Sequence, residues 1–193
     1  MSDVHRYAEA IRILSLVPKG GTLLDLGAGT GRMLLTAALM RPDVRCVGME
    51  VVAERVRLAR QALRSLGAER SCVLQRSLGN SALPLPVSDV VYLFNPFSPA
   101  TLAAVFWSLT QLANSCAFLL VLKAMDHAVL ECASSAWLFL RQCMRPVSCR
   151  AVGLPASGFL AWRVQQVSPT QSACPRARRS HLTGVDPVAK ARN

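Results

Sequence analysis

One ten-residue stretch limits what this chain can fold into: Leu23-Leu24-Asp25-Leu26-Gly27-Ala28-Gly29-Thr30-Gly31-Arg32. A short, mostly apolar run enters three glycines at alternate positions, and a second apolar run, Arg32 to Met40, ends before Pro42. The first run predicts a buried strand and the second a helix. Glycines lacking Cβ atoms allow a sharp bend and let another molecule approach the backbone, while the helix start leaves N–H groups without intrahelical partners. Strand, glycine turn and helix together predict a crevice at a strand's carboxyl end in an α/β sheet.

The rest of the chain repeats that alternation. A helix is expected over about residues 4–17, ahead of Pro18, Gly20 and Gly21, and strands over Thr22 to Leu26, Val44 to Met49, Ser71 to Gln75, Asp89 to Phe94 and Ala117 to Leu122. Val56, Ala59, Leu63 and Leu66 mark the buried face of a helix whose other side carries Arg57, Arg60 and Arg64. Ser98 or Thr101 caps a helix running to Leu112, and Asp126 one running to about Cys143. Val147 to Leu154 and Phe159 to Val167 read as a closing hairpin around Pro155 and Gly158. The expected fold is a doubly wound α/β unit: a mostly parallel seven-stranded sheet, helices on both faces, and a C-terminal antiparallel hairpin. With 193 residues, 52% of them hydrophobic, there is material for one core. The expected organisation is a leading helix or lid over 1–18, a ligand-binding domain over 19–167, and a basic, disordered tail over 168–193.

Charge and cysteine content narrow the setting. The chain carries 22 basic and 11 acidic residues, a net charge of +11, which attracts nucleic acid, an anionic membrane or an acidic protein. Arg176, Arg178, Arg179, Lys190 and Arg192 face only Asp186 near the end, yet the basic surplus extends through the rest of the chain. Seven cysteines without a CxxC pair fit neither a disulfide framework nor a structural zinc site, so a reducing cytoplasm is expected. No metal-ligand spacing occurs among the His, Cys and Asp residues, and no metal is expected. Cys46, Cys72 and Cys116 sit in apolar runs where a thiol acts as a small hydrophobe. His5, Arg6, Glu9 and Arg12 interrupt the opening apolar residues, which disfavours a secretion signal. Val90 to Leu122 lacks charge over a length that could span a bilayer, but Asn95, Pro96, Ser98, Pro99, Asn114 and Ser115 divide it into loop, helix, turn and strand. Stable membrane insertion is not expected.

Spacing decides what the glycine turn holds. A dinucleotide fingerprint, GxGxxG, would need its third glycine where Arg32 stands, so a nicotinamide-dependent oxidoreductase is the weaker reading. Glu50 closes the second strand, where a carboxylate accepts ribose hydroxyls or, alternatively, interacts with the start of the next helix. LLDLGAGTGRM paired with VGME resembles the class I S-adenosylmethionine-dependent methyltransferases, a Rossmann-like family, over about residues 20–167. The resemblance implies S-adenosyl-L-methionine as cofactor. It places Gly27, Ala28, Gly29 and Gly31 around the methionine part, Asp25 near the amino group, Glu50 on the ribose, and Met49 or Val51 against adenine. At the position where many relatives carry an acid for adenine, LQRSLGN offers Ser77 or Asn80.

Phe94-Asn95-Pro96-Phe97, after the fourth strand, is similar to the Asn/Asp-Pro-Pro-Tyr/Phe signature of enzymes that methylate amino nitrogens, without its second proline. The resemblance implies Asn95, Pro96 and Phe97 as the catalytic set. The Asn95 amide oxygen would accept from an incoming amine and the Phe97 ring would stack on a planar group; the same triplet could simply turn the chain and cap a helix. His5, Tyr7, Asp126 and His127 are weaker candidates, and no general base is assigned. The expected function is methyl transfer to a nitrogen of a protein or nucleic-acid acceptor. The alternative from another class is a noncatalytic module that binds nucleic acid through the tail and the arginine-bearing helix.

Overall fold

Thirteen residues at the amino end form α1 (Asp3–Ser15), whose Ala10, Ile13 and Leu14 are buried at helical spacing. In the computed structural model, residues 3–79, 83–94, 97–123, 135–155 and 159–167 are described. The glycine-rich unit follows as β1 (Thr22–Leu26) and α2 (Arg32–Met40). Next come β2 (Arg45–Glu50), α3 (Ala53–Ser65), β3 (Ser71–Gln75), β4 (Val90–Phe94), α4 (Pro99–Ala113) and β5 (Phe118–Lys123). The chain continues with α5 (Ser135–Gln142), β6 (Met144–Val147), a 3₁₀ turn over Arg150–Val152, and β7 (Phe159–Val164).

The sheet has seven strands in the order β3-β2-β1-β4-β5-β7-β6. β3, β2, β1, β4 and β5 run parallel, while β7 is antiparallel to both β5 and β6. Order reverses beside β1, which has β2 on one side and β4 on the other, so the loops after these strands open onto one crevice. Pairing of Asp25 with Gly48 and of Asp25 with Tyr92 puts these three residues in one row near the carboxyl ends.

Two apolar layers hold the sheet. On one face Leu24, Leu26, Val91, Leu93 and Leu120 pack with Phe106 and Leu109 of α4 and Leu140 of α5. On the other, Leu23, Val90 and Val121 pack with Ile13 and Leu14 of α1, Leu34 and Ala37 of α2, and Val56 and Ala59 of α3. Each large side chain removed from water contributes about 1.5–3 kcal/mol. Gly48 permits close approach on the second face: a Cβ there would lie 2.7 Å from the Ala28 Cβ and 2.9 Å from Leu34 Cδ1.

The doubly wound, mostly parallel sheet is thus as expected, with two local differences. β6 begins earlier than the predicted Val147, and most of the predicted strand to Leu154 is the 3₁₀ turn, ended by Gly153 at φ 72°. Cys72 faces outward on edge strand β3 rather than joining the core, while Cys46 is buried. Of the helix predicted from Asp126, Ser135–Gln142 is seen; Asp126 and His127 lie outside the described residues, as does the tail from 168. At the start of α4, Ser98 is the cap: its Oγ accepts from the Thr101 N–H at 3.2 Å, and Pro99 occupies the first turn.

Candidate active site

The glycine turn is tied to the end of β2. Gly27 and Ala28 amides both donate to the Met49 carbonyl at 2.9 Å, and the Gly29 amide donates to Glu50 Oε2 at 2.8 Å. Gly27, Gly29 and Gly31 have φ of 88°, 58° and 84°, left-handed values that other residues adopt only with strain. Their surroundings separate their roles. A Cβ on Gly29 would meet nothing within 4 Å, so that backbone faces open space. A Cβ on Gly31 would lie 2.9 Å from the Ala59 Cβ, so the third glycine lets α2 meet α3. A Cβ on Gly27 would lie 3.1 Å from Phe97 Cζ, which puts the aromatic ring directly against the loop. Helix α2 starts without a side-chain cap, leaving its first amides directed at the turn.

Glu50 is 5% exposed, and its carboxylate is closely held. Oε1 accepts from Val51 and Val52 amides at 3.0 and 2.9 Å, in addition to the Gly29 bond on Oε2, and Arg55 Nη1 stands 4.0 Å away. This carboxylate therefore organises both the glycine turn and the approach to α3. Asp25, also 5% exposed, has its pKa raised to about 7, first by burial and then by the Glu50 charge. Neighbouring Tyr92 is pushed up by burial and then by the charge of Asp25.

The remaining expected residues are placed unequally. The Met49 side chain is buried in the core while its carbonyl anchors the loop; Val51, 58% exposed, is the more open of the two adenine candidates. Ser77 is exposed, with Oγ near Gly79 at the approach to Thr101. Phe97 lies over Gly27, whereas Asn95, Pro96 and Asn80 lie outside the described residues. Tyr7 is exposed, 5.9 Å from the Arg32 guanidinium, and so stands beside the start of α2. His5 belongs to α1.

Sequence reasoning missed a second polar cluster at the carboxyl ends of the strands. Lys123 at the end of β5 pairs with Glu9 of α1, and its Nζ lies 5.3 Å from the Phe94 ring and 5.4 Å from the Phe159 ring. These residues are far apart in the chain and only the β4-β5-β7 pairing assembles them; the uncharged run ending at Leu122 was the available hint. Among the described residues there is no His/Cys/Asp/Glu group able to hold a metal, and no helix long and apolar enough to cross a membrane.

A family profile described as a methyltransferase domain matches residues 18–120, more than half of the chain and all of the glycine turn, β2 and β4. The chain belongs to the methyltransferase-domain family. One relative of this methyltransferase-domain chain is the ribosomal RNA small subunit methyltransferase G of Desulfotalea psychrophila (strain LSv54 / DSM 12343), 35% identical over 65 residues. That match covers 34% of this chain and 30% of the relative, so it spans under a third of the relative's length. Two solved structures share the fold. A putative rRNA-methylase from Clostridium thermocellum has a TM-score of 0.56 at 13% identity, covering 87% of this chain and 97% of the other. A SAM dependent methyltransferase from Aquifex aeolicus has a TM-score of 0.54 at 18% identity, covering 86% and 100%.

Proposed function

We propose that this methyltransferase-domain chain binds S-adenosylmethionine in the crevice and transfers its methyl group to a nitrogen of ribosomal RNA. The observation that carries the reading is the Gly29–Glu50 arrangement: an open, left-handed glycine bonded to a buried carboxylate where the strand order reverses. The donor set suits a nucleoside. Three of roughly four lone-pair positions of Glu50 are occupied by amides, so one ribose hydroxyl can donate to it directly and a second bond requires the Gly29 amide to turn away. Asp25 would face the methionine amino group, Gly27 and Ala28 would flank the methionine part, and Val51 or Met49 would touch adenine, with Ser77 nearby. Gly31 contributes by setting the distance between α2 and α3.

When bound, the cofactor supplies an activated methyl on sulfonium. The chain's task is to hold a nitrogen lone pair in line at about 3 Å and exclude water. Asn95 would accept an N–H of the acceptor, leaving the lone pair directed at the methyl, and Phe97 would stack on the planar ring to which that nitrogen belongs. Ribosomal RNA is favoured as acceptor by the names of the partial relatives and by the net charge of +11.

Calorimetric titration with S-adenosylhomocysteine should give a heat that Gly29→Arg abolishes, since the side chain would enter the open space above a left-handed backbone. Incubation of the wild type with tritiated S-adenosylmethionine and small-subunit ribosomal RNA should leave label that nuclease releases and protease does not. Protease-sensitive label would overturn the RNA acceptor, and absence of any heat would overturn the cofactor site.

A further inference from the structure

Away from the crevice, a groove of about 380 Å³ lies between the second half of α3 and the edge strand β3. Leu63 and Val73, both buried, and Cys72 line it, while exposed Arg60 and Arg64 stand at its sides and Glu69 is its one acidic lining residue. Arg60 Nε and Nη2 donate to the Val73 carbonyl at 3.1 and 2.9 Å, so its guanidinium is already fixed over the strand edge. Arg57, by contrast, is matched by Glu54 at 2.8 and 2.7 Å. Among the described residues no carboxylate lies within salt-bridge distance of Arg60, Arg64, Arg70 or Arg76, all four exposed along this edge.

That combination selects a ligand class. Unmatched guanidinium groups favour phosphate, and an apolar lining favours the flat face of a base over a free inorganic anion. The arginines of one face are placed for a strand: Arg57, Arg60 and Arg64 fall within about 60° of one another around α3 and cover about 10 Å of helix axis. At a stacked spacing of about 3.4 Å, roughly three nucleotides cover that distance. Arg55, 4.0 Å from Glu50, lies on the opposite side of this helix, so the groove and the crevice mouth are separate surfaces.

We infer that the α3–β3 groove holds a nucleotide of the single-stranded RNA acceptor at a distance from the methylated one, its base against Leu63, Cys72 and Val73 and its phosphates on Arg60 and Arg64. This inference rests on the RNA-acceptor reading. It separates the RNA-holding surface from the methyl-transfer crevice and leaves cofactor binding independent of it.

The test compares equal losses of charge at opposite sheet edges. Anisotropy of a fluorescein-labelled twelve-residue oligouridylate is measured against salt for the full chain, for Arg60→Gln/Arg64→Gln, and for Arg145→Gln/Arg150→Gln, whose arginines are exposed on the β6 side. The groove pair should reduce the salt slope by about 1.4, two phosphates at about 0.7 each for single strands, and weaken binding on the order of tenfold near 0.1 M salt. The β6-side pair should change affinity less than twofold. Arg64→Gln alone, which breaks no side-chain hydrogen bond or ion pair among the described residues, should give about half the slope change and keeps the result readable if the double variant melts early. Equal weakening by both pairs, or no change from the groove pair, or no oligouridylate binding by the wild type, overturns the groove. S-adenosylhomocysteine titrated into the same samples should give wild-type heats; a groove effect without those heats removes the methyl-transfer reading alone, and heats without a groove effect remove the groove alone.

Discussion

Asp25 is a carboxyl whose environment works against its charge. Folded, it keeps its proton up to about pH 7; unfolded, it releases it near 3.8. Between those values unfolding releases a proton, so stability is greatest below the unfolded pKa and falls as pH rises through about 7. Urea midpoints measured from about pH 4 to 8 should therefore decline, and Asp25→Asn should flatten the decline, recovering on the order of 2–4 kcal/mol at the upper end. Glu50→Gln, which removes the second cause of the shift, should end the decline at lower pH and make it smaller. S-adenosylhomocysteine affinity should run the other way and fall below about pH 7, because a methionine ammonium needs the ionised Asp25. Glu50→Gln should also weaken that ligand by about tenfold or more, the usual size of a lost hydrogen bond to a charged group. Most of this site was legible in the chain because Asp25, three glycines and Glu50 stand at the ends of consecutive elements. The bond between Gly29 and Glu50 was not, since it depends on how β2 lies beside β1.

Between elements, spacing set by single atoms carries the arrangement. Gly31→Ala combines a left-handed φ of 84° with a 2.9 Å approach to Ala59, and should cost roughly 2–4 kcal/mol by chemical denaturation. Adding Ala59→Gly should relieve the contact but not the φ strain, so the double variant should be more stable than the sum of the two losses. Element order could be read because the apolar runs are broken by Gly27, Pro42, Gly67, Asn95 and Asn114 or by charged residues such as Glu50, Arg76 and Lys123. The closing hairpin was misplaced because β6 contains Pro146, which argues against a strand in sequence, and because Val147 to Leu154 looks extended until Gly153 turns it. A proline is tolerated in β6 only because that strand lies at the edge, a tertiary fact.

At the scale of the molecule, Glu9 and Lys123 join the first helix to the fifth strand across most of the described chain. They are 19% and 12% exposed, and loss of one partner leaves the other poorly hydrated. Lys123→Met should be less harmful than Glu9→Gln, since the methionine can pack between Phe94 and Phe159 while an unmatched ammonium cannot; thermal melts should rank the variants in that order. The fold class was readable from alternation alone, but this pair was hidden because no local pattern links residue 9 to residue 123.

The two margins of the sheet also differ in what they can recruit. With four residues, a proline and an exposed Arg145, β6 makes a poor template for an incoming strand from another copy, so crowding at high protein concentration should leave that border solitary. Replacing Pro146 with threonine would restore an amide there, and concentration-dependent light scattering should then rise.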